Sequence, residues 1–341
     1  MKKRSEIGSE FWEAPSQKKR NALFPESTRW FLSGRSALGY VIRDIKDKKG
    51  IKTVAMPSWC CDSMIYPFLE ELISVRFYPV SVGAGKLVCD ISQVRDCDAI
   101  VVMDYFGYSS DINYSDFAGT VIRDLTHSVF SGQQMDANYY FGSLRKWCGI
   151  VTGGFAYGKD VFSDNIAVQE PSTRYLSLRS SAMEEKAAYI NGLSNSKDYL
   201  SMFSEAEFEL EKSDKIASST ENDVAIVQRL DINFIKERRR ENAKMLLRDL
   251  SQFAIFPQVK ENDCPLFVPI LIPGGKRDSL RHYLIQKEIF CPVHWPVSSV
   301  HVLDGQTRKI YDEELSIVCD QRYDATDMKR ICQEIQNFMQ E

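Results

Sequence analysis

Metal-binding patterns are scarce in this chain of 341 residues. It has only four histidines, at positions 127, 282, 294 and 301, and they do not lie at metal-ligand spacing. Its nine cysteines are an odd number and include no Cys-x-x-Cys pair, which indicates reduced, mostly buried thiols instead of a disulfide framework. We therefore expect no metal site and a cytoplasmic location.

Segments typical of membrane or nucleic-acid proteins are also missing. No apolar run reaches the length of a membrane span, and the positively charged start is followed by Gly8-Ser9-Glu10 instead of the apolar core of a secretory signal. The formal net charge of −4 argues against a nucleic-acid binder, because neutralising phosphates requires a basic face. We expect neither a membrane nor a nucleic acid as partner.

Two common phosphate-binding motifs are incomplete or absent. Gly83-Ala-Gly-Lys86 is similar to the end of a P-loop, but Val80 and Leu87 replace its first glycine and its magnesium-binding hydroxyl. We predict a surface turn there. A Gly-x-Gly-x-x-Gly dinucleotide fingerprint does not occur.

Short β-rich runs alternate with helical patterns in the first half of the chain, which is typical of a parallel α/β sheet. The predicted strands are 53–56, 75–78, 99–103, 120–123, 138–141 and 154–157. Helices are predicted over 33–47, with Ser33 or Gly34 at its start, and over 62–72. The polar stretch from 163 to 222 is predicted to contain helices and loops.

The second half predicts a long connecting helix followed by a smaller α+β unit. The helix is predicted over 223–250, and the later elements are strands 266–272, 290–295 and 315–318 and helices 277–288 and 325–340. The predicted division is an N-terminal arm (1–25), a large domain (26–222), a connecting helix (223–252) and a small C-terminal domain (253–341).

Lys146 stands between the hydroxyl of Ser143 and a glycine-rich strand start at Gly153-Gly154. A lysine on a rigid turn beside a phosphate-binding group is how a Schiff-base lysine is presented to a cofactor aldehyde. The ordinary alternative for such a lysine is a surface residue after a strand.

Asp124 follows the β-rich run Gly119–Ile122, so it should lie at the carboxyl end of a central strand, where ligands of open α/β sheets bind. A carboxylate there can pair with a protonated pyridine nitrogen, or it can cap a helix. His127 would orient this aspartate or contact the ring, or it would be an ordinary core histidine.

Two other segments suit parts of a planar, phosphorylated cofactor. Ser33-Gly34-Arg35-Ser36 offers backbone N–H groups, a hydroxyl and a guanidinium at a helix start, which suits a phosphate or simply caps the helix. Trp59, after the next strand, would lie on a ring face or pack in the core.

The order of these segments resembles the fold type I pyridoxal-phosphate enzymes, and in particular the DegT/DnrJ/EryC1/StrS sugar aminotransferases. The resemblance covers roughly residues 26 to 340, although Arg35 stands where the family usually has threonine. It is carried by Ser33–Leu38, Pro57–Trp59, Arg123–His127, Ser143–Lys146, Gly153–Gly154, Arg238–Asn242, Phe290–Pro296, Leu315–Val318 and Tyr323–Met328.

That resemblance implies a large domain with a mainly parallel central sheet flanked by helices, a smaller C-terminal α+β domain, a homodimer and pyridoxal 5'-phosphate as cofactor. Lys146 would bind the cofactor aldehyde, and Asp124 would keep the ring nitrogen protonated. His127 would lie beside the ring and Trp59 would stack on it. Arg145 would lower the pKa of Lys146 or merely face solvent. The phosphate would be bound by Gly34, Arg35, Ser36 and Ser143.

The implied activity is transfer of an amino group, with glutamate as the expected donor, to a keto group of a nucleotide-linked sugar for polysaccharide or glycoconjugate biosynthesis. A lyase or dehydratase on a related substrate is the alternative. The family's sugar dehydratases carry histidine in place of the lysine, so Lys146 counts against it. A non-catalytic binding protein that keeps the fold is the third hypothesis, and the presence of both Asp124 and Lys146 argues against it.

Overall fold

The computed structural model describes residues 5–109, 112–132, 136–212 and 216–340. The strands in these ranges are β1 (Ile7–Gly8), β2 (Arg29–Phe31), β3 (Thr53–Pro57), β4 (Ser74–Tyr78), β5 (Val80–Gly83), β6 (Lys86–Cys89), β7 (Ala99–Met103), β8 (Thr120–Asp124), β9 (Tyr139–Ser143), β10 (Gly154–Gly158), β11 (Phe267–Leu271), β12 (Ile289–Phe290) and β13 (Glu314–Val318). The α-helices are α1 (Gly34–Lys49), α2 (Tyr66–Glu70), α3 (Thr173–Ile190), α4 (Tyr199–Glu211), α5 (Glu221–Val227), α6 (Ile232–Leu250), α7 (Arg277–Gln286), α8 (Gly305–Glu313) and α9 (Ala325–Gln340).

A seven-stranded sheet of order β2-β10-β9-β8-β7-β3-β4 forms the centre of the fold. The strands from β9 to β4 pair in parallel, whereas β10 pairs antiparallel with β9 and with β2. Every residue of β7 and β8 is buried, as expected for parallel strands covered on both faces. The predicted α/β fold with a mainly parallel sheet is confirmed.

The parallel strands bring their carboxyl ends to one edge of this sheet. Asp124, the last residue of β8, pairs with Met103 of β7 on one side and with Phe141 of β9 on the other. The loops that follow β3, β7, β8 and β9 therefore meet at this edge, the usual position of ligand sites in open α/β sheets.

Helix α1 begins at the same edge. Its N-cap Ser33 accepts the N–H of Ser36 at 3.2 Å, and the helix ends at Gly50, whose left-handed conformation lets its N–H donate to Lys46. The apolar stripe of Leu38, Val41, Ile42 and Ile45 is buried, and α1 packs on β9 and β10. The capped helix predicted from residue 33 onwards is observed.

The C-terminal part has its own hydrophobic cluster, formed between α6, α7, α9 and the antiparallel pair β11–β13. The N-terminal arm joins it, because β1 pairs in parallel with β12. Gly8 in β1 has a φ of +94°, and a Cβ there would lie 2.2 Å from the carbonyl oxygen of Phe290. Only glycine fits this contact, so the arm is closely packed on the C-terminal part.

Several sequence predictions were wrong in detail. The helix predicted over 223–250 is two helices, α5 and α6, because Asp231 caps a new helix by accepting the N–H of Phe234 at 3.1 Å. The strand predicted over 290–295 ends at Phe290, and the chain beyond it is irregular. The surface turn predicted at Gly83–Lys86 is observed, and it joins the hairpin β5–β6. The domain boundaries stay a prediction.

Among the described residues, no helix has both the length and the apolar character needed to cross a bilayer. Within the same ranges, no group of histidine, cysteine, aspartate or glutamate side chains is arranged to hold a metal ion.

Candidate active site

Lys146 ends a single 3-10 turn, Leu144–Lys146, directly after β9. The turn is fixed from both sides, because Leu144 donates its N–H to Gly153 at 2.9 Å and the indole N–H of Trp147 donates to the carbonyl of Thr126 at 2.8 Å. Trp147 is fully buried. The lysine is thereby presented from a rigid turn into a cavity of about 410 Å³ at the sheet edge.

The ammonium nitrogen of Lys146 contacts His127. Nζ lies 3.2 Å from His127 Nε2 and 5.8 Å from the ring centroid of Trp295. Burial lowers the pKa of Lys146 and the charge of Arg145 lowers it further, whereas Asp124 acts in the opposite direction. The site thus favours a lysine that loses its proton more readily than one in water.

His127 is completely buried, and burial holds its pKa well below the usual histidine value, so the imidazole is neutral. Its Nδ1 atom has no hydrogen-bond partner within the described chain. A buried polar atom without a partner is uncommon in folded proteins and indicates a group that a ligand can satisfy.

Asp124 lines the same cavity and is 2% exposed. Its Oδ1 accepts the N–H of Thr126 at 2.7 Å, which holds the carboxyl in place at the end of β8. Burial raises its pKa, and the positive charge of Lys146 partly offsets that rise. A cationic ligand atom next to Asp124 would stabilise the carboxylate in the same way.

Gly34, Arg35 and Ser143 also line this cavity, at the start of α1. A Cβ on Gly34 would lie 3.3 Å from Cβ of Ser143, so the helix start and the lysine turn are in close contact. The first turn of α1 has no acidic residue to compete for its N–H groups. These features suit an anion.

Two predicted site residues lie elsewhere. Ser36 lines a neighbouring groove with Arg43 and Glu71, not the cavity of Lys146, and its N–H is used by Ser33. Trp59 is fully buried, donates its indole N–H to the carbonyl of His294 at 2.7 Å and stacks on Tyr105 at 4.9 Å. The expectation that Trp59 stacks on a ligand is corrected to core packing, because both its face and its N–H are engaged within the protein.

His294 and Trp295, which the sequence did not single out as site residues, line the cavity instead. They lie in the irregular chain after β12, and the Trp295 ring lies 5.5 Å from that of His127 at 22°. His294 Nδ1 lies 2.8 Å from Ser316 Oγ, and its N–H donates to Glu314 at 2.8 Å. The only sequence signal for this role was that His294 and Trp295 are adjacent aromatic residues in a chain with few histidines.

Arg145 does not face solvent, the alternative that the sequence left open. Its side chain is 12% exposed and forms an ion pair with Glu207 of α4. Arg179 of α3 also binds Glu207, at 2.9 Å, and reaches Glu10 of the N-terminal arm at 2.9 Å. This ion-pair network fixes the residue next to Lys146 to two helices and the arm.

No family model matches the sequence, and neither does any curated protein. Solved structures do match. Helicobacter pylori PseC, an aminotransferase involved in the biosynthesis of pseudoaminic acid, is 15% identical, with 96% of this chain and 99% of that chain covered and a TM-score of 0.61. NtdA from Bacillus subtilis, with bound cofactor PMP, is 12% identical, with 92% and 73% covered and a TM-score of 0.64.

The PLP form of Spr1654 from Streptococcus pneumoniae, a sugar aminotransferase by its description, is 11% identical. The match covers 91% of this chain and 86% of that chain, with a TM-score of 0.62. The chain has the fold of the fold type I PLP-dependent transferases. At these identities the similarity establishes the fold, and the chemistry of this chain has to be argued from its own residues.

Proposed function

We propose that this protein is a pyridoxal-phosphate-dependent aminotransferase, a divergent member of the DegT/DnrJ/EryC1/StrS sugar aminotransferases. One observation supports the proposal most strongly. Asp124 at the end of β8, His127 shortly after it and Lys146 in the turn after β9 line one cavity with the open start of α1. A single cofactor with an aldehyde, a ring nitrogen and a phosphate accounts for all of these groups.

The residues present fit pyridoxal phosphate. The buried, unpartnered Nδ1 of His127 can be satisfied by a polar atom on the ring. The start of α1 lines the cavity with Gly34 and Arg35 and has no acidic residue in its first turn, which suits a phosphate. Asp124 is a buried carboxyl without a direct cationic partner in the described chain, which suits a protonated ring nitrogen. Lys146, Asp124, His127, Gly34, Arg35 and Ser143 would hold the cofactor.

Bound pyridoxal phosphate supplies an electron sink that allows an amino group to be exchanged for a keto group. The chain's own residues prepare this exchange. Lys146 Nζ would hold the cofactor and move a proton, and burial and Arg145 lower its pKa for this role. His127 Nε2 accepts a hydrogen bond from Lys146, and Asp124 would keep a proton on the ring nitrogen of the bound cofactor.

We propose a keto group on a nucleotide-linked sugar as the acceptor and glutamate as the donor. The descriptions of PseC and of Spr1654 as aminotransferases, one of pseudoaminic acid biosynthesis and one of sugars, support a sugar acceptor. We also propose that the protein is a cytoplasmic homodimer with the large and small domains predicted from the sequence.

The proposal is tested by the colour of the purified protein. With pyridoxal phosphate it should show a visible absorbance band that changes when glutamate is added. The Lys146→Ala variant should lack the band of the covalently held cofactor, while Lys159→Ala, which removes an exposed lysine outside the cavity, should keep it. A protein that stays colourless with added pyridoxal phosphate would refute the proposal.

A further inference from the structure

A second cavity, of about 380 Å³, meets the first at Lys146. Lys146, Arg145 and His294 line both. The remaining walls are the N-terminal arm from Gly8 to Phe11 and the C-terminal part, including Arg281 of α7. We call it the arm cavity. A molecule bound in the arm cavity would therefore be in reach of Lys146.

The arm cavity carries an excess of positive charge. Its lining includes Lys146 and four arginines but only two carboxylates, Glu10 and Asp320. Both carboxylates have partners, since Arg179 binds Glu10 at 2.9 Å and Arg322 binds Asp320 at 2.8 Å. Within the described ranges, Arg239 and Arg281 form no ion pair.

Arg239 is the most informative of these cations. It is completely buried and donates only to neutral oxygens, those of Gln321 at 2.7 Å and of the Pro265 and Leu266 carbonyls at 3.2 and 2.9 Å. Its Nη2 has no partner in the described part of the chain. Asp320 interacts with Arg239 electrostatically and the guanidinium lies 4.6 Å from the Trp147 ring centroid, but neither supplies a hydrogen-bond acceptor for Nη2. An anionic ligand at this position would satisfy that buried donor.

Arg281 stands at the exposed side of the same cavity. Its Nε donates to the carbonyl of Cys291 at 3.3 Å, and among the described residues its terminal nitrogens form no ion pair that would compete with a ligand. Phe11, Phe267 and Phe290 also line the cavity. The site therefore suits an anionic head on a body with apolar methylene groups, and not a polar sugar diphosphate.

We propose that the arm cavity binds the carboxylate end of the amino donor, with Arg281 and Arg239 as the groups that recognise it. This inference rests on the proposed function, because it assigns a place to the donor that an aminotransferase needs. A carboxylate held there leaves the amino group of a short α-amino acid directed to the residues shared by the two cavities. The nucleotide-linked sugar is not the ligand of this cavity.

The test uses glutarate, a dicarboxylate with neither an amino nor a keto group, so that binding is measured without reaction. Glutarate is titrated calorimetrically into the full chain loaded with pyridoxal phosphate. We expect binding that weakens about tenfold or more in Arg281→Gln, because a charge-assisted hydrogen bond contributes on the order of 1.5–3 kcal/mol. Arg281→Lys should retain part of the affinity.

The matched control is Arg308→Gln, which removes an exposed arginine of α8 that lines neither cavity, and it should bind glutarate as the wild type does. No binding of glutarate to the wild type, or equal binding to Arg281→Gln, would overturn the proposal. So would a uridine diphosphate that binds more tightly than glutarate with the same dependence on Arg281.

The two proposals fail separately. A colourless protein that binds glutarate through Arg281 contradicts the proposed function and leaves the carboxylate site standing. A coloured protein that reacts with glutamate equally well in wild type and Arg281→Gln contradicts the carboxylate site and leaves the proposed function standing.

Discussion

Lys146 Nζ lies 3.2 Å from Nε2 of His127, and each residue changes what the other can do. His127 is neutral because burial lowers its pKa, so Nε2 can accept a hydrogen bond from the lysine. In return, the positive charge of Lys146 further disfavours a protonated imidazole. The pair thus holds the lysine in place without adding a second positive charge.

Two substitutions at His127 distinguish the contribution of its hydrogen bond from the contribution of its packing. His127→Gln keeps a polar group near Lys146, whereas His127→Phe fills the space with an apolar ring. We expect the rate at which glutamate converts the bound cofactor to fall by roughly tenfold in His127→Gln and by about a hundredfold or more in His127→Phe. Stopped-flow absorbance measures both, and equal rates in the two variants would contradict the hydrogen-bond role.

Asp124→Asn should leave the cavity intact but remove the negative charge from the ring-nitrogen position. Because the ring then loses its proton, we expect the same half-reaction to slow by about a hundredfold or more, with the cofactor still bound and its absorbance shifted. The control is Asp116→Asn, an exposed aspartate on the loop before β8. A wild-type rate in Asp124→Asn would refute the assigned role.

Glu207 neutralises two arginines at once, Arg145 and Arg179, whose side chains are 12% and 2% exposed. Removing its charge leaves Arg145 without an ion pair among the described residues. We expect Glu207→Gln to lower the free energy of unfolding by about 1–3 kcal/mol, less than for a fully buried pair because Glu207 is partly exposed. Urea denaturation measures this change.

Glu205 on the same helix provides the control for that experiment. Its contact with Arg174 is exposed and 3.4 Å long. Glu205→Gln should therefore change stability by less than about 0.5 kcal/mol. Equal effects of the two substitutions would show that the network around Arg145 adds nothing beyond an ordinary surface pair.

Glu314 makes the stability of the fold depend on pH. Its carboxyl is fully buried and accepts the backbone N–H of His294, and burial raises its pKa from 4.5 to about 8. Between these values the folded protein keeps a proton that the unfolded chain has lost, so stability falls as pH rises through that window. The loss is at most about 5 kcal/mol, since one pKa unit corresponds to about 1.4 kcal/mol.

Glu314→Gln should flatten this pH dependence, because glutamine does not titrate. The neighbouring Glu313→Gln changes a residue of α8 that is not buried and should leave the slope as in the wild type. Denaturant melts at several pH values between about 5 and 8 measure the slope. A wild-type slope in Glu314→Gln would show that another group is responsible.

Local sequence patterns were sufficient for the central sheet and for the part of the site built on it. Asp124 ends β8 and Lys146 follows β9. Both strands are apolar enough to recognise, and parallel pairing brings their ends together. The capped start of α1 could also be predicted, because its capping residue and its apolar stripe form a local pattern. These features depend on residues close to one another in the chain.

Features that depend on distant contacts could not be predicted in this way. Trp59 was expected either on a ring face or in the core, and only its stacking on Tyr105 decides for the core, while Trp295 lines the cavity without any prediction from the sequence. The pairing of β1 with β12 joins residues at opposite ends of the chain and is too short to give a pattern. The same is true of Arg281, whose proposed role depends on α7 and the arm lining one cavity.

The central claim is that Lys146 holds the cofactor covalently. Treatment of the protein with pyridoxal phosphate and borohydride, followed by proteolysis and mass spectrometry, locates the modified lysine. We predict a single stoichiometric cofactor adduct on the peptide that contains Lys146. An adduct on another lysine, or labelling spread over exposed lysines such as Lys159 with Lys146 unmodified, would contradict the account.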